Sequence, residues 1–277
     1  MRFFRPGGNL TGWRRFGFEV AIIVIGVGIA LVANQWATRA VQIKETRQAL
    51  DAVETDLIKL LAFASERMAI EPCRVEQVEF IAGRLKAGEG EWIPRMPDGL
   101  QAPGGPMILQ TPVRTPIRNL SAESWKALLA SETALYMDRG KFIELSAIFD
   151  VAVEIRDLQT QALVLKGRLA HLGMPGPMDA DARRDAYALL GEYAAIEGLI
   201  TVHASQMMQS LTSFDYQYDG RLPFSAPDEI DSDLFGAVNR RVYGDCVDIS
   251  KFQPMADQVE AVYGVKIDLS EAESDAP

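Results

Sequence analysis

Cys73, Cys246, His171 and His203 are the only thiol and imidazole groups in the chain, so nucleophilic, redox or metal chemistry must be looked for there first. The cysteines form no CxxC and, with two distant histidines, no zinc pattern. A disulfide is the expected state in an oxidising compartment, and two small buried hydrophobes the state in a reducing one. The disulfide is the preferred reading; closing so long a loop would contribute at most about 4–5 kcal/mol in the chain-entropy description. His171 and His203 fall on two long helical stretches joined by a short turn, which makes those stretches antiparallel. His203 then lies opposite roughly Ala147, about 24 residues or about 36 Å along the helix from His171. That is too far to share a metal or a proton, so each reads as a surface or packing residue, and a His-dependent hydrolase is not expected.

The other chemical motifs are incomplete. Asp215-Tyr-Gln-Tyr-Asp219-Gly220 matches the first half of a calcium loop, with oxygen ligands at positions 1, 3 and 5 and glycine at 6. Position 12 should be a bidentate glutamate and is Ala226, so a polar interhelical loop is the preferred reading. Ser131 and Glu132 stand in no GxSxG or SxxK frame, and Trp125, at helical spacing from Leu128 and Leu129, reads as core. Gly26-Val27-Gly28 lacks the strand and third glycine of a dinucleotide site. No cofactor, metal or catalytic set is expected, and enzymatic activity is disfavoured.

The elements that must position any site begin with Phe16–Trp36, FGFEVAIIVIGVGIALVANQW. Its apolar run Val20–Ala33 is extended by flanking residues to a length of about 31 Å, which matches a bilayer's hydrocarbon thickness. Trp13 and Trp36 bracket it, as rings at the two interfaces would. A core helix of a soluble protein would need apolar surface packed all round it. A cleaved signal peptide needs small residues at −3 and −1. Cutting after Ala33 or Ala37 puts Leu31 or Gln35 at −3, so an uncleaved anchor is expected. Arg2, Arg5, Arg14 and Arg15 precede the span, and Arg39, Lys44 and Arg47 follow it. This slim excess of basic residues places the N-terminus in the cytoplasm and the bulk in the periplasm of a Gram-negative cell. The chain carries a net charge of −10 and no basic stripe, which argues against nucleic acid as a partner.

Beyond the span nothing breaks a helix before Pro72. Ile43, Thr46, Leu50, Val53, Leu57, Leu60 and Ala64 step by threes and fours, an a/d seam. The seam serves either packing within the monomer or a parallel homodimer. Within the span Glu19, Gly26, Ala30, Ala33 and Ala37 share one narrow face, where small residues let helices approach in lipid. Arg74–Lys86 reads as a short amphipathic helix. Residues 93–118 hold six prolines and read as an irregular strap over the bundle, or as a partner-binding arm using Arg95, Arg114 and Arg118. Further helices are expected from an N-cap at Ser121, over Arg139–Leu172, from Asp179 or Asp181 to about Leu211, near Asp231–Gly244 and near Gln253–Tyr263. The acidic tail SEAESDAP is expected to be disordered.

The layout, with EVAIIVIGVGIALVANQW and SAESWKALLASETALYMDRGKFIELSAIFD, resembles uncharacterised bacterial single-span inner-membrane proteins of proteobacterial type. The resemblance covers the first 60 or so residues and a middle patch, and implies location and helical fold without any activity or binding residues. The expected fold is all-α: a basic arm (1–15), a transmembrane helix (16–36) continuing into a stalk, a helical-bundle domain (37–268) and a tail (269–277). The leading functional expectation is an envelope protein anchored in the lipid bilayer that binds or positions another protein. The alternatives are a small-ligand sensor bundle and a periplasmic enzyme with a cryptic site. A deep cavity lined by converging Asp, Glu or Arg would favour these alternatives, and a solidly packed bundle the leading one.

Overall fold

A computed structural model describes residues 12–88, 91–94, 112–214, 229–230, 239–240, 242–267 and 269. The fold is all-α. The first helix, α1 (Gly12–Ala69), runs unbroken for 58 residues, about 87 Å, because no proline interrupts it. It lives in two environments. From Val20 to Val32 its large apolar side chains stand 41–65 % exposed, so none of the described residues covers them. This is one helix long and apolar enough to cross a membrane, and its lack of cover is unlike a soluble protein's core helix. From Val53 onward Leu57, Leu60, Leu61 and Ala64 are buried, and the same helix becomes part of a core.

At Ile70 the chain turns into α2 (Glu71–Ala87) with its ladder nearly intact: Ile70 N–H donates to Glu66 O at 3.1 Å and Arg74 N–H to Ile70 O at 3.0 Å. Pro72, lacking an N–H, sits in the first turn of α2, where none is needed. Gly88, at φ 72°, ends α2 in the left-handed conformation that favours glycine. After a strap over residues 112–122 come α3 (Glu123–Ala130), a 3₁₀ turn (Glu132–Tyr136) and α4 (Arg139–Arg168). A second 3₁₀ turn (Leu169–Gly173) leads to α5 (Ala180–Ser213); a third (Ile249–Phe252) leads to α6 (Gln253–Tyr263). Asp138 caps α4 by accepting from Lys141 N–H, and Asp179 caps α5 by accepting from Ala182 N–H. Two short ribbons tie loops together: β1 (Glu91–Trp92) runs antiparallel to β2 (Gly176–Pro177), and β3 (Glu229–Ile230) parallel to β4 (Lys266–Ile267).

The organising helix is α5, packed against α1, α2 and α4. Ala186, Leu190, Tyr193, Glu197, Ile200, Ala204, Met207 and Leu211 are its buried residues, spaced by alternating fours and threes. Trp125 of α3 is core, stacked on Phe149 of α4 with ring centroids 5.6 Å apart. Cys73 of α2 and Cys246 are joined across 173 residues with Cα atoms 5.1 Å apart, within the range a disulfide requires. Beside the bond, Asp248 N–H donates to Ala69 O at 2.9 Å and pins the same segment to the end of α1.

Several expectations shift. Ser121 is not the N-cap of α3; Ala122 is, and Ser121 Oγ accepts from Glu123 N–H instead. That helix stops at Ala130 because Ser131 is extended, and the helix expected to reach Leu172 tightens into a 3₁₀ turn at Leu169. His203 lies opposite Glu154 (Nδ1 to Oε2, 3.5 Å), not Ala147, because the 3₁₀ turn, β2 and the Asp179 cap lengthen the interhelical link. The separation from His171 shortens to about 25 Å along the helix, still far beyond a shared ligand. The arm residues 1–11, Arg95, the Asp215–Gly220 loop, most of the 231–244 stretch and nearly all of the tail lie outside the described residues.

Candidate functional site

Ser65, Glu66 and Arg67 follow one another on α1, about 100° apart around the helix, so consecutive side chains serve different surfaces. Arg67 turns toward α5 and is only 1 % exposed. Its guanidinium forms an ion pair with the Glu197 carboxylate, donates to the Glu197 carbonyl at 2.9 Å, and donates through Nε to Thr201 Oγ1 at 3.2 Å. Thr115 of the strap donates to Glu197 Oε1 at 3.1 Å and lies 3.1 Å from the Tyr193 hydroxyl. Burial and the Glu197 charge push the Tyr193 phenol well above its ordinary range. Thr201 also reaches Glu71 Oε2 at 2.9 Å, and Arg74 Nε donates to the same oxygen at 2.8 Å. Burial alone would raise the Glu71 carboxyl, but the hydrogen bond and charge of Arg74, with Thr201, hold it below its ordinary value. Lys166 of α4 is buried near this group, and desolvation lowers its pKa despite the attraction of Glu197. These residues knit α1, α2, α5 and the strap together.

Glu66 turns the other way and faces a cavity of about 630 Å³. Arg118 of the strap grips it with two hydrogen bonds, Nε to Oε2 at 2.9 Å and Nη2 to Oε1 at 2.6 Å. Tyr243 donates its hydroxyl to Glu66 Oε1 at 3.2 Å, and burial followed by the Glu66 charge raises the phenol above its ordinary range. Nearly three turns back along α1, Asp56 lines the same cavity, accepting from Lys59 Nζ at 2.9 Å and from Ser124 Oγ at 2.6 Å. Leu60, Phe63, Leu120 and Phe252 give the cavity its apolar walls. The volume and the mixture, mostly apolar with a few convergent polar groups, are those of small-molecule sites. A smaller cavity of about 330 Å³ lies beside the disulfide, and Tyr243 belongs to both.

The residues singled out from sequence fall in three places. Cys73 and Cys246 come together. Glu19, Gly26, Ala30, Ala33 and Ala37 are all exposed on the span, and a Cβ added at Gly26 would meet nothing within 4 Å. The stalk seam divides. Val53, Leu57 and Leu60 are consumed inside the monomer's core, Leu50 is half-buried, and Ile43 is 44 % exposed. A parallel homodimer would therefore have only the stalk's lower turns and the span to use. Arg114 and Arg118 do not reach outward as an arm: Arg114 donates to Val242 O at 2.9 Å and Arg118 holds Glu66. Among the described residues no group of Asp, Glu, His or Cys has the geometry of a metal site. Sequence reasoning overlooked Glu66, Arg67 and Glu197. Their signal was available: a Glu-Arg pair inside the apolar run LLAFASERMAI, and a glutamate within AAIEGLI. Compared with known protein families, curated proteins and solved structures, the chain matches none of them.

Proposed function

We propose that this protein is a non-enzymatic binding module, anchored by its N-terminal span with the helical domain outside the cytoplasm, and that its recognition site for a small ligand is the cavity beside Glu66. The cavity carries the reading. A bundle packed solid would have favoured a protein partner, whereas about 630 Å³ lined by two acids and an arginine favours a ligand. Binding rather than catalysis is supported by how the charged groups are engaged. Glu66 is held by Arg118 and Tyr243, and Asp56 by Lys59 and Ser124, so each is oriented by its partners. The disulfide supports an oxidising compartment, and the basic excess ahead of the span supports the same orientation.

The test is a thermal-shift screen of the detergent-solubilised full chain against a small-molecule panel, with wild type and Ala62→Trp in parallel. Ala62 lines the cavity without closing it, so the indole would fill the space. Compounds that raise the wild-type Tm should have no effect on the variant. Shifts of equal size in both proteins would contradict the assignment.

A further inference from the structure

Resting on that reading, we propose that the cavity's ligand is a linear organic polycation, an aliphatic triamine or tetraamine, laid along α1 between Asp56 and Glu66. The two acids lie ten positions apart on α1, about 15 Å along its axis. Leu60 and Phe63 occupy the turns between them, with Leu120 and Phe252 also lining the space. A trough with apolar stretches, a carboxylate at either end, and the neutral polar side chains of Asn119, Ser121 and Asn239 along it suits a molecule that alternates methylene stretches with ammonium groups.

Exposure separates the fixed charges from the movable ones. The side chains of Asp56 and Glu66 are 14 % and 11 % exposed, sunk in the wall, while those of Lys59 and Arg118 are 67 % and 55 % exposed. The Lys59 head stands mostly in solvent and makes a single bond to Asp56, so it can give way to a ligand ammonium while Asp56 stays. Glu66 accepts two bonds from Arg118 and one from Tyr243, and a carboxylate offers about four lone-pair sites, so one remains beside Arg118. Asp56 accepts from Lys59 and Ser124 and has room for more. Phe63, Tyr243 and Phe252 add ring faces to which ammonium groups are attracted. The chain's net charge of −10 draws cations toward it and repels anions.

Isothermal titration calorimetry of the detergent-solubilised full chain tests this, with spermidine and spermine as probes and butylamine and hexanoate as controls. One polyamine per chain should bind, with butylamine and hexanoate far weaker. Asp56→Asn and Glu66→Gln should each weaken binding about tenfold, and Glu192→Gln, an exposed acid elsewhere on α5, should change nothing. Should Glu66→Gln fail to fold, Asp56→Asn alone decides. Polyamine binding that both cavity variants leave intact, that Glu192→Gln weakens equally, or that butylamine matches would overturn the proposal. Hexanoate bound in preference and lost in Ala62→Trp would overturn the polycation while leaving the cavity assignment standing. No binding by any probe, with panel compounds still shifting wild type alone, would do the same.

Discussion

Glu197 shows how much can rest on a single residue. It occupies one position in the buried stripe of α5 where its neighbours along that stripe are mostly apolar, and it answers Arg67, itself 1 % exposed. Removing one member of a buried ion pair strands the other's charge. Glu197→Gln should therefore cost about 3–5 kcal/mol, seen as a large fall in Tm, without altering the cavity on the opposite side of α1. Glu71 makes a pH prediction. Its carboxyl is held below its ordinary 4.5, so the stability it contributes is fully present above that value and is lost as pH falls through the lower folded-state value. Glu71→Gln should thus have a lower Tm at pH 7 and a shallower decline in Tm on acidification below pH 4.5 than wild type. Neither role was legible in the sequence, because pattern reading assigns a charged residue to solvent by default. Only the third dimension reveals that Glu66 and Arg67, adjacent in the chain, serve different faces.

Helices were the legible part of the fold, since their periodicity and stop signals are local. The bounds of α6 matched the expected Gln253–Tyr263, and α1 was foreseen as one rod running from the span into the core. Caps and register were less visible. Ser121 has the right chemistry for an N-cap but lies one residue early, and the register of α4 against α5 depended on a 3₁₀ turn that no motif marks. The change of environment along α1 gives a prediction at this scale. Burial begins near Thr46 and recurs in every turn from Val53, so a chain starting at Ala40 should lose membrane association yet keep its cooperative melt within a few degrees of the parent. Circular dichroism and sedimentation of the truncated protein check it; loss of the cooperative transition would mean that the span supports the fold.

The molecule as a whole joins an apolar rod, exposed among the described residues, to a domain with a large cavity, and the disulfide links distant parts of the domain's chain. Cys246 belongs to the segment that carries Tyr243, so the bond holds a cavity wall as well as the fold. Reduction should lower Tm, by no more than about 5 kcal/mol of stability for a loop of this size. It should also weaken ligand binding more than an equally destabilising change far from the cavity, which titration calorimetry in the presence and absence of reductant would measure. What the sequence could not convey was the cavity itself: its walls come from α1, the strap, the Tyr243 segment and Phe252, widely spaced stretches of chain with no shared motif. The account stands on that space being occupied by a small molecule. Native mass spectrometry of the full chain, gently extracted from membranes, tests it most directly. Wild type should carry an added small-molecule mass that Ala62→Trp lacks. A bare chain in both samples, or a retained protein partner in place of a ligand, would contradict it.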